Sequence, residues 1–167
     1  MTVRQKISII SGGQTGADRA ALDFAMAQGI PHGGWCPRRR RAEDGVIGRQ
    51  YNLRETPSGH YAQRTEWNVR DSDATVLFTI DPKISGGTRL THELALRLGK
   101  PVLHLSRDDL ARQLSASQDL VAIAAAMLTL FLKEHRVRTL NIAGPRASQE
   151  PEIASFVAQV MQRVFAD

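Results

Sequence analysis

The sequence predicts an α/β protein: one domain over residues 1–167, built on a doubly wound, mainly parallel sheet of about five strands flanked by helices. Three observations lead there. Short apolar segments at 5–10, 30–35, 74–80, 101–105 and 137–143 alternate with helical patterns near 15–28, 58–71, 88–98, 118–135 and 149–165. Such alternation implies βαβ units and a parallel sheet covered on both faces. Two glycine-rich turns each follow an apolar run and open a helical one, and two helices stop on glycine followed shortly by proline.

The elements justify themselves in order. Ile7-Ser8-Ile9-Ile10 belongs to the first strand, and Ser11-Gly12-Gly13-Gln14-Thr15-Gly16-Ala17-Asp18 turns from it into the first helix. Thr15 and Asp18 have the spacing of a capping box, with Asp in place of Glu or Gln. Gly29-Ile30-Pro31 ends that helix. The second strand ends at Trp35, and residues 36–59 form a long, polar, arginine-rich connection of the kind that carries function or is disordered. In the helix around 61–71, Arg64, Trp67 or Asn68, and Asp71 share roughly one face. The third strand leads into Ser85-Gly86-Gly87-Thr88-Arg89, where Thr88 is a natural cap and Glu93 complements the helix dipole. Gly99-Lys100-Pro101 separates the next helix and strand, Leu120 to Leu132 reads as a buried helix, and the fifth strand runs into Gly144-Pro145-Arg146.

Composition narrows the function classes. The longest apolar run, 13 residues, falls short of the roughly 20 that a membrane span needs, so no membrane association is expected. Met1 to Lys6 leads straight toward a strand with no secretory pattern, and cytoplasm is the expected compartment. A single cysteine, Cys36, excludes an internal disulfide and any multi-cysteine zinc site. His92 has no partner at metal-ligand spacing, and no metal site is expected. Arginine outnumbers lysine 18 to 4, which favours forked contacts to oxyanions over point charges. The cluster Arg38 to Arg41 could serve nucleic acid, but residues 38–55 mix six arginines with three acids. That interleaving suits a shaped pocket better than a stripe along a polymer, so no nucleic-acid partner is expected.

Strand, glycine turn and helix start together form a geometry that binds phosphate: the backbone approaches closely and free amides at the helix start face an anion. Two such turns with arginines between them point to a phosphorylated small molecule. Gly12, Gly13, Gln14, Thr15 and Gly16 form the first candidate cradle; Ser85, Gly86, Gly87 and Thr88 form the second, and Arg40 and Arg41 would close over the ligand charge. The ligand of a doubly wound sheet lies beyond the carboxyl ends of its strands, where both turns fall. The first turn lacks the G-x-G-x-x-G spacing and an acidic residue after strand two, which argues against a dinucleotide dehydrogenase; no G-K-[ST] is present for a P-loop. Arginines around Cys36 would lower its pKa.

Ile9 to Asp23, Gly34-Trp35-Cys36-Pro37, Arg40 to Gly45, Arg64 to Asp73, Ser85-Gly86-Gly87-Thr88 and Leu140 to Arg146 closely resemble the proteins named putative molybdenum carriers. These form a circularly permuted, YpsA-like branch of a Rossmann-type superfamily of nucleotide-ligand binders. The resemblance covers about residues 7–150. It implies a Rossmann-like fold, homo-oligomers (dimers or tetramers), and a pocket for molybdenum cofactor or a nucleotide-like ligand. The family usually has Gly where this chain has Arg39, and Pro where it has Gly48. The wider superfamily includes nucleotide phosphoribohydrolases with a P-G-G-x-G-T-x-x-E turn. Here Ser85 to Glu93 keeps the first two glycines and the glutamate at that spacing, while Arg89 and Leu90 replace Gly-Thr. The first expectation is a non-catalytic carrier of molybdenum cofactor. The alternatives are a phosphoribohydrolase-like enzyme using Glu93, and a nucleotide sensor.

Overall fold

A computed structural model describes residues 7–165. The expectations for Met1 to Lys6, including the first residues of strand one, lie outside the described residues. The central sheet has five parallel strands in the order β2-β1-β9-β7-β8, with β1 Ser8–Ile10, β2 His32–Gly33, β7 Ala74–Thr79, β8 Val102–Ser106 and β9 Thr139–Ala143. Every ladder is parallel: Ile9 sits opposite Leu140, Thr75 opposite Asn141, and Phe78 opposite Leu105. All six residues of β7 are buried, as a strand covered on both faces requires.

Helices α1 (Ala17–Ala27), α5 (Leu120–Glu134) and α6 (Ile153–Phe165) pack on one face, with α4 (Arg107–Gln113) following β8. Their apolar stripes meet the sheet in the principal core, where Ile9, Phe78, Leu128, Leu140 and Met161 are buried. Helix α2 (Tyr61–Arg70) packs on α3 (Gly86–Arg97) over the other face, around Val69, Leu94 and Ala95. Helix α5 is buried along one side only: Ala124, Leu128 and Phe131 face the core, while Leu130 is 65% exposed. The apolar run therefore makes an amphipathic helix, because alanine spacing lets its outer side stay in water.

The arginine-rich connection is ordered. It contains β3 (Trp35–Cys36) paired in parallel with β6 (Arg54–Glu55), and a small antiparallel pair of β4 (Arg41–Ala42) and β5 (Gly45–Val46). Leu22 of α1 joins Cys36, Ala42, Ile47, Tyr51 and Leu53 in a separate small core beneath it.

Candidate ligand-binding site

Strand β1 leads through α1 to β2 on one side, and β7 leads through α3 to β8 on the other; β9 lies between the two pairs. The strand order thus runs outward in opposite directions on the two sides of β9, and the crevice beyond such a switch point is where ligands bind in doubly wound sheets. A cavity of about 130 Å³ opens there. Gly12 and Gln14 from the first turn, Gly86 and Thr88 from the second, Arg64 of α2 and Arg146 beyond β9 all line it. A wider cleft of about 660 Å³ adjoins, sharing Thr88 and Gln149 and reaching Thr79, Asp81, Ser85 and Glu150. The two glycine turns, far apart in sequence, therefore meet at one place.

Protein packing dictates the glycines of the first turn. A Cβ on Gly12 would lie 1.7 Å from Arg64 Nη1 and 2.9 Å from Asp18 Oδ2, so the guanidinium rests directly on the backbone. Gly13 has φ +75°, and a Cβ there would lie 2.6 Å from Leu53 Cδ1 in the small core. In the second turn Gly87 has open space around its Cβ position. Its smallness serves nothing within the protein, which leaves room for a ligand.

The caps differ from the expectation. Thr15 caps nothing: the N-cap of α1 is Gly16, with no side-chain cap. The Thr15 hydroxyl instead donates to Glu43 Oε1 and accepts from the Ala147 N–H at 3.1 Å, which ties the first turn to β4–β5 and to the turn after β9. Thr88 lies inside α3, whose N-cap is Ser85, again without a side-chain cap. By contrast, Ser106 caps α4 and Asp119 caps α5 through side-chain oxygens. At the start of α1 the Ala17 N–H donates to the Pro145 carbonyl and the Arg19 N–H to the Gln14 carbonyl, whereas at the start of α3 no cap side chain satisfies the amides, the arrangement that accepts an anion.

Among the described residues three buried side-chain polar atoms lack partners: Gln14 Nε2 and Arg64 Nε, on residues that line the cavity, and Ser11 Oγ, next to Gly12 in the chain. Gln14 is 6% exposed. Its Oε1 accepts from the Thr15 and Glu43 amides at 3.0 and 2.9 Å, which fixes the side chain and leaves its NH₂ available. Unsatisfied buried donors are costly, about 1–3 kcal/mol each, unless something else meets them. Asp18 lines the same cavity and pairs with Arg64 at 3.0 Å. Burial pushes its carboxyl above the ordinary aspartate range, and Arg64 opposes that shift. Glu43 is held below its usual range by the hydroxyls of Ser148 and Thr15.

The arginine run divides. Arg40 is buried and donates to the carbonyls of Ile47, Leu53, Gly48 and Tyr51 at 2.8–3.0 Å. Its guanidinium is thus consumed in holding the loop together, and the expectation that it closes over a ligand gives way to this structural role. Arg41 stays exposed, 5.3 Å from the centre of the Tyr61 ring. Cys36 is fully buried, and burial raises its thiol pKa more than Arg40 lowers it, opposite to the expected direction. Glu93 is exposed, pairs with Arg89 at 3.4 Å and lines neither cavity. Arg64, Arg146 and Gln149 complete the cavity, but the sequence reading placed none of them in the binding set. Arg64 and Arg146 stood within motifs already noted, whereas nothing in the local pattern of Gln149 set it apart. Among the described residues no group of three or more His, Cys, Asp or Glu could hold a metal ion, and no helix is long and apolar enough to cross a membrane.

The family model of the circularly permutated YpsA SLOG family matches residues 9–165. Among solved structures, the chain is similar to a crystal structure titled "Putative molybdenum carrier protein" from Syntrophus aciditrophicus SB. The identity is 42%, 96% of each chain is covered and the TM-score is 0.88. A hydroxymethylbutenyl diphosphate reductase is far more distant, at 12% identity and a TM-score of 0.37 over 96% of this chain and 60% of its own. No curated protein sequence matches.

Proposed function

From the premise that the chain belongs to the circularly permutated YpsA SLOG family, we propose that it binds and carries a phosphorylated small molecule, with molybdenum cofactor as the ligand. The observation that carries this is convergence: both glycine turns and the spare donors of Gln14 and Arg64 share one cavity of about 130 Å³. An apolar cavity of about 150 Å³ holds benzene, so the smaller cavity suits a phosphate or one ring and the remainder would occupy the adjoining 660 Å³ cleft. The amides at the start of α3, the Gln14 NH₂ and Arg146 would hold the phosphate. The molybdenum assignment draws on the 42% identical relative, which is named a putative molybdenum carrier protein. With no ligand cluster for the metal itself among the described residues, the organic part of the cofactor would provide the grip. Glu93, exposed and outside both cavities, gives the hydrolase alternative no support.

The test is to expose the protein to molybdenum cofactor without oxygen, purify it, and measure pterin and molybdenum per chain. We expect near-stoichiometric amounts of both. Gly87→Val should abolish loading and leave the melting temperature unchanged, because its side chain meets only the cavity. Gly13→Val should instead lower the melting temperature, through a strained φ and a clash with Leu53. A folded wild-type protein that retains neither pterin nor molybdenum would overturn the carrier reading. Base release from nucleoside monophosphates that disappears in Glu93→Gln would establish the enzyme instead.

A further inference from the structure

Three guanidinium groups surround one phenol ring. The Cζ atoms of Arg41, Arg64 and Arg146 lie 5.3, 5.4 and 5.6 Å from the centroid of Tyr61. They come from three separate places: Arg41 opens β4, Arg64 is one helical turn from Tyr61 in α2, and Arg146 follows β9. Gathering like charges about one ring is unfavourable, and cation–π attraction at exposed sites returns only about 0.5–1 kcal/mol for each.

Carboxylates neutralise this cluster incompletely. Asp18 pairs with Arg64 at 3.0 Å. Glu43 comes no nearer than 3.9 Å to Arg146 and already accepts from Thr15 and Ser148. Among the described residues no carboxylate pairs with Arg41, and the Tyr61 hydroxyl makes no hydrogen bond. Two guanidinium forks beside the Tyr61 ring are thus left with unused donors, and one of them, Arg146, lines the cavity that also holds the unpartnered Nε of Arg64.

We propose that Arg41 and Arg146, set in place by the Tyr61 ring, clamp a tetrahedral oxyanion where Arg146 borders the cavity. A tetrahedral oxyanion presents three or four acceptor oxygens in different directions, which suits two planar forks from separate elements better than the two coplanar oxygens of one carboxylate. Arg64, matched by Asp18, forms the wall behind them. The oxyanion is the phosphoryl group of the ligand or a free ion such as phosphate or molybdate. The first case rests on the carrier reading above and assigns the ligand's cationic grip to residues other than Arg40.

Titration calorimetry and thermal shift at fixed ionic strength test the clamp, with phosphate, molybdate and a nucleoside monophosphate as probes against chloride. Arg41→Ala and Arg146→Ala should each weaken phosphate binding about tenfold. Both side chains are at least partly exposed, so melting should hold; the lysine variants should fall between, since one ammonium cannot fork. Tyr61→Phe should bind as the wild type does, and Tyr61→Leu should weaken binding about as much as losing one arginine. Wild-type phosphate affinity in both arginine variants overturns the clamp, as does an equal response to chloride. Nucleoside monophosphate binding that ignores both arginines overturns the clamp and leaves the carrier reading standing. Arginine-dependent binding of free phosphate or molybdate, with no uptake of any phosphate ester or pterin, leaves the clamp standing and overturns the carrier reading.

Discussion

Arg39 adopts the left-handed conformation, φ 64° and ψ 19°, which costs a residue with a Cβ roughly 1–2 kcal/mol. Its side chain is exposed, and its N–H donates to Glu55 Oε2 at 2.7 Å, a bond any residue could make. Arg39→Gly should therefore raise stability by about 1 kcal/mol in urea unfolding, with anion binding unchanged. Its neighbour should behave in the opposite way. Arg40→Ala would strip four carbonyls of their partner and should cost at least about 3 kcal/mol, seen as proteolysis within 36–56. In sequence the two arginines read alike. Charge and spacing mark a basic run, but only packing decides which guanidinium turns inward, and that depends on Ile47, Tyr51 and Leu53 lying beneath it. The same limit applies to Thr15, whose partners Glu43 and Ala147 lie 28 and 132 residues away.

The five long helices and most of the sheet strands were readable from periodicity and stop signals, but the second strand was drawn too long: β2 is only His32–Gly33, and Trp35 belongs to the separate strand β3. Helix α4 was not readable: of its seven residues only Leu110 is buried, so no apolar stripe marks it. The paired segments β3–β6 and β4–β5 are two residues long, too short for an alternating pattern. Long-range side chains hold them instead. Asn68 of α2 accepts from the Trp35 N–H at 2.8 Å and donates to the Trp35 carbonyl at 2.9 Å, taking the place of a neighbouring strand. Trp35 in turn donates its indole N–H to Asp71 and packs edge-on against Trp67. Asn68→Ala should cost about 2 kcal/mol. Hydrogen exchange should locate the loosening in residues 35–56, with α2 itself protected; faster exchange confined to α2 would refute the clamp on Trp35.

At the scale of the molecule, stability should fall off at both ends of the pH range for different reasons. Burial and the hydrogen bond to Asp23 push Tyr51 up to about 12. Its contribution is complete below the ordinary tyrosine value near 10 and is lost as pH rises through the folded value. Asp71 and Asp119 are held below their usual range, the first chiefly by Arg70 and the second by the Ala122 amide, so their contributions exist above about pH 4 and vanish as pH falls through the folded values. Asp18, raised by burial, runs the other way: its ionised form opposes folding at neutral pH, a cost retained at the cavity between the two glycine turns. Urea midpoints between pH 9 and 12 should decline in wild type and more weakly in Tyr51→Phe. The sheet order carries a last consequence, for how the chain is made. Strand β9, next to last among the elements, lies between β1 and β7. A ribosome delivers the amino-terminal strands first, so until Thr139–Ala143 emerges the nascent chain carries two separate strand pairs, each with an open inner edge. One of those edges is Ala-Thr-Val-Leu-Phe-Thr, uncharged and rich in β-formers, the kind of segment that pairs with copies of itself. Translation that stalls between residues 80 and 139 would thus release an aggregation-prone fragment, and a chaperone reaching β7 before β9 would protect the product.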